Sequence, residues 1–380
     1  MKIKFNDIAI NSVAKKKPVP EDAEHYIGLE HIDSGSFKIS RWGSAVAPIG
    51  DKLLMKKGDV LFGKRRAYQR KVAIAPFDGI FSAHGMVLRP KTDVVDERYF
   101  PFFIASDQFM DEAVRISVGG LSPTINWKTL KECEFDLPPI EEQRALAEKL
   151  WAANDLKEKY QKLLVATDEM LKAKFREMFG ECGGQSAEGG VREIGLLEIG
   201  ECKNGLNFSP NETGAMIKCV GVSDFGSKTS LIDFSEVADL SVNNLPSQEY
   251  WLQDNDFLFV RSNGNKDLVG RCMLIKPGDV RSTFGGFCIR YRLHDKAVLH
   301  KWILYWFRSE EIRRRLQGRS GNGSINNLSQ SILAEINVPI PPIELQRKFV
   351  AIANAAEASK AELKKSIASI DAVMKGLING

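Results

Sequence analysis

Nine consecutive residues, Gly63-Lys64-Arg65-Arg66-Ala67-Tyr68-Gln69-Arg70-Lys71, gather five cations around a tyrosine and a glutamine. Cations meet phosphate, and Arg and Gln are the side chains able to pair bidentately with guanine and adenine edges. The chemistry open to this run is nucleic-acid binding through backbone and bases; the bland alternative is a solvated hairpin that holds no ligand. Farther along, Arg261-Ser262-Asn263-Gly264-Asn265-Lys266 repeats the polar and cationic character, and Arg281-Ser282-Thr283 and Arg319-Ser320-Gly321-Asn322 are alike in pattern. The polar loop Gly120-Leu121-Ser122-Pro123 adds Ser122 as a candidate contact. Arg313-Arg314-Arg315 falls on an expected helix, reads equally as a solvated face or a phosphate contact, and is secondary.

Catalytic readings fail in turn. Amino-methyltransferases place Asn or Asp before Pro-Pro and an aromatic after it, whereas here Leu137 and Ile140 flank one Pro pair and Ile340 and Ile343 the other. A phosphate loop is nearly spelled by Gly221, Gly226, Ser227, Lys228 and Thr229, yet the extra Ser227 breaks the spacing that sets Lys and Thr on phosphate and magnesium. Cys272, Cys288, His294 and His300 lack the close Cys pair of a structural zinc site. No histidine stands beside an obvious Ser or Cys nucleophile.

Composition sets the frame for these residues. A chain of 380 residues with 43% apolar content buries real cores in two or three domains. Net charge is only +4 and no region is globally basic, so nucleic-acid binding must come from local patches. The six cysteines are far apart in a chain too large to need staples, which favours free thiols. No long apolar run and no apolar signal core are present, so the expected compartment is the cytoplasm, with no membrane partner.

The elements that must position the turns are written twice. Leu137-Pro138-Pro139-Ile140-Glu141-Glu142-Gln143-Arg144 and Ile340-Pro341-Pro342-Ile343-Glu344-Leu345-Gln346-Arg347 are near copies offset by 203 residues. Proline lacks a donor that a helix start leaves unpaired anyway, and the following carboxylates suit the helix dipole. Ile140 to Phe179 contains neither Gly nor Pro, and Phe349, Ile352, Ala356, Ser359, Leu363, Ser366, Ile370, Val373 and Leu377 step alternately by 3 and 4. Both read as coiled-coil seams, each a rod of roughly 60 Å at about 1.5 Å per residue. Short β-like runs precede each rod: Asp59 to Phe62, Val72 to Ala75 and Met86 to Leu88 in the first half, Asp256 to Val260 and Phe287 to Tyr291 in the second. Helices are expected near Tyr99 to Val114 and Lys301 to Leu316, and the five glycines between Gly180 and Gly190 suit a helix stop and a link. The expected fold class is α+β: two mixed, β-rich domains over residues 1–137 and 181–341, alternating with helical regions over 138–180 and 342–380.

In order, spacing and duplication the chain resembles the specificity (S) subunits of type I restriction-modification systems, over essentially its full length. That family alternates two target recognition domains with two helical conserved regions, each entered through a polar Gly-Ser loop and Pro-Pro-x-x-Glu-Gln. Residues 138–143 fit the entry; the second copy departs from it at Leu345, where Glu is usual. The resemblance implies a non-catalytic subunit that reads a bipartite target in duplex DNA. It implies docking of two modification subunits, which carry S-adenosylmethionine, and two ATP- and magnesium-dependent restriction subunits, so this chain itself holds no cofactor. Glu141, Glu142, Gln143, Glu344 and Gln346 are the docking candidates at the helix entries. If the second helix packs back along the first, the pair is antiparallel and the lobes share a pseudo-twofold axis that suits the dyad of duplex DNA. Rod length then sets the unread gap between unlike half-sites. The reading from another class is a coiled-coil scaffold or adaptor whose duplicated lobes bind proteins.

Overall fold

The protein is described by a computed structural model covering residues 2–180, 191–209, 212–226, 228–317 and 326–379. It is a mixed helix and sheet structure that divides into two compact units, Met1–Lys162 with Leu363–Gly380, and Leu163–Glu362.

The first unit opens with β1 (Lys2–Lys4), α1 (Phe5–Ile8), β2 (Ala9–Ser12), β3 (Lys15–Lys16) and β4 (Tyr26–Ile27). There follow β5 (Lys52–Met55), β6 (Val60–Phe62), β7 (Val72–Ile74), β8 (Gly79–Phe81) and β9 (Met86–Pro90). One four-stranded sheet runs β2-β9-β6-β7, wholly antiparallel; a second runs β3-β5-β8-β4, in which β4 and β8 are parallel. Neighbouring residues of a strand face opposite sides. Val60 and Phe62 of β6 therefore enter one core with Phe5, Phe103 and Phe109, while Leu61 enters another with Ile27, Leu53 and Phe81. Burial on both faces is why these strands read as unbroken apolar runs. The helices α2 (Phe100–Ala105), α3 (Asp107–Arg115) and α4 (Trp127–Leu130) then lead to β10 (Glu134–Asp136), which pairs with β1, and to α5 (Ile140–Phe179). Ala147 and Leu150 of α5 share the first core with Met374, flanked by Ile370 and Leu377, all from the last helix, and Lys157 Nζ reaches Asp371 Oδ1 at 2.6 Å. Gly180, at φ +73°, ends α5 with its N–H donating to Arg176 O at 2.8 Å.

In the second unit come β11 (Arg192–Gly195), β12 (Gly200–Asn204), β13 (Ala215–Val220), β14 (Ser230–Leu231) and β15 (Asp239–Val242). Next are β16 (Phe257–Val260), β17 (Ser262–Asn263), β18 (Cys272–Ile275), β19 (Ser282–Phe284) and β20 (Cys288–Leu293). A five-stranded sheet runs β12-β20-β16-β18-β14, and its first four strands repeat the order of the first unit's antiparallel sheet. A three-stranded sheet runs β15-β13-β19, with β13 and β19 parallel. The helices α6 (His300–Arg308) and α7 (Glu310–Leu316), then β21 (Asn326–Asn327), α8 (Gln330–Ala334), β22 (Asn337–Ile340) and α9 (Ile343–Asn379) complete the order. Here Leu171, Phe175 and Phe179 of α5 share a core with Phe349, Ala353 and Ala356 of α9, and the Phe175 and Phe349 rings meet edge-on at 5.2 Å.

Two polar devices occur once in each unit. Buried Asp59 accepts both arms of Arg89 at 2.7 and 2.8 Å, and buried Asp256 accepts both arms of Arg292 at the same two distances. Gln143 Oε1 accepts from Asp96 N at 2.9 Å while its Nε2 donates to Val94 O and Pro138 O. Gln346 Oε1 accepts from Leu299 N at 2.8 Å while its Nε2 donates to Ala297 O and Pro341 O. Each glutamine thus ties the loop before the first lobe helix to the Pro-Pro entry. Both are almost wholly buried, so the docking expectation for Gln143 and Gln346 is corrected: their amide groups are already consumed by the fold.

Candidate nucleic-acid interface

The basic run of the first unit is a loop from β6 to β7 containing one turn of 3-10 helix, Ala67–Gln69. Two of its arginines, Arg66 at φ 57° and Arg70 at φ 50°, hold the left-handed conformation that L side chains seldom adopt. Such strain persists only where surroundings impose it. For Arg66 the imposing partner is the Gly-Ser loop: Arg66 N donates to Pro123 O at 2.8 Å and its Nε to Ser122 Oγ at 3.2 Å. Ile125 N donates to Lys64 O at 3.0 Å, and Arg65 N to His84 O at 3.2 Å. Backbone bonds therefore join three loops distant in sequence into one surface.

On that surface Arg66 and Tyr68 are exposed, Gln69 is half-buried, and the Arg65 guanidinium lies 3.4 Å from His84 Nε2. Half-buried Lys64 has no ion-pair partner among the described residues; burial, then the charge of Lys15, lowers its pKa. Burial followed by Arg65, Lys64 and Lys52 likewise pulls His84 below the usual histidine range. Beside them a groove of about 860 Å³ is lined by Asn11, Lys15, Lys64, Thr124, Asn126 and Trp127, among others. Lys15, Lys64, Arg65 and Arg66, without a carboxylate ion pair among the described residues and set next to aromatic and amide groups, can hold phosphates and present donors to base edges.

The far end of the loop turns inward. Arg70 donates to Asp107 Oδ1 at 2.7 Å and Ala105 O at 2.9 Å, and Lys71 Nζ donates to Leu29 O. Their expected contact with nucleic acid is corrected accordingly: these two cations anchor the loop.

The second unit joins the corresponding segments. Leu328 N donates to Arg261 O at 2.7 Å, the place of the Ile125–Lys64 bond in the first unit, and Ser262 and Asn263 pair with Asn327 and Asn326. Arg261 is half-buried with Nη1 3.4 Å from Gly286 O; Lys266 is exposed. Lys64-Arg65-Arg66 and Arg261-Ser262-Asn263 thus occupy like places with unlike side chains. Arg281 is exposed but belongs to the margin of the three-stranded sheet, where its carbonyl accepts from Lys218 N. Ser282 is 1% exposed inside β19, which removes it from the candidate surface. Arg319 and Asn322 lie outside the described residues. At the helix entries Glu141 and Glu344 are exposed and paired with Arg144 and Arg347, at 2.6 and 2.8 Å, and Glu142 is exposed.

Sequence reasoning missed Asn11, Lys15, His84, Asn126 and Trp127. Only Asn126 and Trp127 carried a signal, lying in the loop whose pattern recurs; the others arrive by tertiary pairing. The tempting zinc set is not gathered, since among the described residues no cluster of three or more His, Cys, Asp or Glu is placed to hold a metal. Cys133, Cys202, Cys219, Cys272 and Cys288 are free thiols. No helix among the described residues is long and apolar enough to cross a membrane.

The two units repeat one architecture, and each joins a turn and a loop by backbone bonds at like places. The chain belongs to the type I restriction modification DNA specificity domain family, whose model matches residues 21–163 and 195–370. It is 24% identical to the type I restriction enzyme StySPI specificity subunit of Salmonella potsdam over 331 residues, covering 80% of this chain and 67% of that one. It is 25% identical to the EcoKI specificity subunit of Escherichia coli K12 over 305 residues, 72% of this chain and 61% of that one. In fold it is similar to the crystal structure of a type I restriction-modification S subunit from M. genitalium, with TM-score 0.55 and 16% identity over 100% of this chain and 94% of that chain. The chain is therefore a recognition component, not an enzyme, as its family defines.

Proposed function

We propose that this chain is the DNA-recognition subunit of a type I restriction-modification complex and reads two unlike half-sites separated by a fixed gap. The observation that carries the reading is the recurrence of one backbone-joined turn and loop in both units with different side chains: Lys64, Arg65, Arg66 and Ser122 in one, Arg261, Ser262, Asn263 and Lys266 in the other. In this reading β-rich lobes over residues 1–137 and 181–341 do the reading, and helical regions over 138–180 and 342–380 form an antiparallel coiled coil that spaces them under a pseudo-twofold axis. Exposed Glu141, Glu142 and Glu344 at the helix entries dock two modification subunits, with two restriction subunits completing the complex in the cytoplasm. S-adenosylmethionine, ATP and magnesium belong to those partners.

The test is duplex binding by the full chain, alone and with its modification partner, measured across salt. Each phosphate contact contributes a slope of about −0.9 to log K against log salt. Replacing Lys64, Arg65 and Arg66 together by Ala is expected to flatten that slope by about two to three and weaken binding correspondingly. Binding that ignores both salt and these three residues refutes the reading and favours a protein-binding scaffold.

A further inference from the structure

The second unit carries a basic pocket that its recognition turn does not use. It measures about 590 Å³ and is lined by α5 from Asp168 to Arg176, by Gly180 after it, by α6 and α7, and by Lys360. Six cationic residues face two carboxylates there: Lys172, Arg176, Arg308, Arg313, Arg314 and Lys360 against Asp168 and Glu310. Part of this charge is neutralised locally, since Lys360 pairs with Asp168, Lys172 with Glu169 and Arg314 with Glu311. Arg308 and Arg313 are different, and Arg271 joins them.

Among the described residues these three guanidiniums donate only to carbonyl oxygens. Arg308 Nη1 donates to Cys272 O at 3.0 Å and Lys228 O at 3.2 Å. Arg313 Nη2 donates to Asp267 O at 2.8 Å, and Arg271 donates to Asp267 O at 3.3 Å and Gly226 O at 2.9 Å. None has a carboxylate ion pair among the described residues. Carbonyl dipoles ease but do not cancel the cost of holding like charges together away from water. Burial first, and then the neighbouring guanidiniums, lowers the pKa of Arg313. A cluster of this kind is completed by an anion from outside.

Its location says which anion. Asp267, whose carbonyl Arg271 and Arg313 share, follows Lys266 in the very turn offered for recognition. The first unit treats the related place in the opposite way. There Asp107, which follows Ser106 as Glu310 follows Ser309, supplies a carboxylate to Arg70 and Lys375. We propose that Arg271, Arg308 and Arg313 form a phosphate-binding site that grips the DNA backbone beside the second half-site. The site rests on the DNA-reading function proposed above, and makes the backbone grip one-sided between the two units.

The test compares wild-type full chain with Arg313→Gln, Arg308→Gln and Arg313→Lys by fluorescence anisotropy on duplexes of unrelated sequence. Loss of one phosphate contact is expected to flatten the salt slope by about 0.9, so that raising salt from 50 to 200 mM weakens the wild type about 3.5-fold more than Arg313→Gln. The loss is equal across sequences, because backbone contacts carry no base information. Arg313→Lys recovers the slope. Should Arg308→Gln fail to fold, the less buried Arg313→Gln keeps the question open to refutation. Salt-dependent binding with an unchanged slope in Arg313→Gln overturns the site and leaves the reading standing; no duplex binding by the wild type overturns both. Arg313-dependent stabilisation by inorganic phosphate, or by polyglutamate, with duplex binding unchanged in the variant assigns the pocket to a free anion or an acidic polypeptide and overturns the proposal.

Discussion

Replacing Gln346 by Leu isolates one polar knot whose cost can be worked from its bonds. The glutamine is 0% exposed and makes three hydrogen bonds, accepting from Leu299 N at 2.8 Å and donating to Ala297 O and Pro341 O, both at 2.9 Å. Leucine keeps the volume and removes all three. Ala297 is exposed, so water replaces its partner at little cost, but the Leu299 N–H and the Pro341 carbonyl are left in an apolar setting. A buried orphan costs about 1–3 kcal/mol, and the added apolar burial of Leu returns roughly 1 kcal/mol, for a net loss of about 3 kcal/mol. At about 2–4 °C per kcal/mol for a unit of this size, the melting temperature of the second unit falls by roughly 6–12 °C. Hydrogen exchange reports where the damage lies: the Leu299 amide exchanges faster, while Asp96, held by Gln143 in the first unit, does not. Gln346→Glu is worse at neutral pH, since a carboxylate then faces two carbonyl oxygens. An unaltered Leu299 amide together with a melting shift below about 2 °C refutes the reasoning.

Two further predictions concern the first unit. Arg66→Gly relieves a left-handed residue, so stability holds or rises by about 1 kcal/mol while duplex affinity falls; a variant less stable in urea contradicts the strain argument. Burial raises the Asp107 carboxyl, but hydrogen bonds from Lys375 and Arg70 outweigh it and hold the pKa below the usual carboxylate range. A depressed folded pKa means that the stabilisation is present above the unfolded value of about 3.9 and is lost as pH falls through the lower folded value. Thermal melts followed between pH 2 and 5 should show this loss in the wild type and its absence in Asp107→Asn; identical acid profiles would remove the anchor from Arg70.

Much of the scaffold was legible because local rules and tertiary packing agree in it. The Gly- and Pro-free stretch is α5 from Ile140 to Phe179, and the apolar runs around Val60 and Phe257 are central strands. The site was legible only in part. A run of cations shows that charge is dense but not which way each side chain points: Arg66 faces out while Arg70 and Lys71 tie the loop down. His84 and Lys15 reach the surface through pairings that no local pattern encodes. Gln143 and Gln346 could have been placed better, since each precedes a buried position by one or two helical turns, Ala147 and Leu150 in one case and Phe349 and Ala353 in the other. A polar residue on the apolar stripe signals an internal hydrogen-bonding task more than a docking face.

That the first unit is completed by residues from Leu363 onward has a consequence during synthesis. Leu146, Leu150 and Trp151 emerge early, yet Ile370, Met374 and Leu377, which cover that stripe, follow about 220 residues later. At roughly 5–20 residues per second the wait is on the order of 10–45 s. The second unit has all its residues by then, so translation order makes it the earlier to mature, and an apolar helix face of the first stands open meanwhile. Slow ribosomes lengthen that interval, and a chaperone that shields such a face has its natural client in the growing chain rather than in the finished protein.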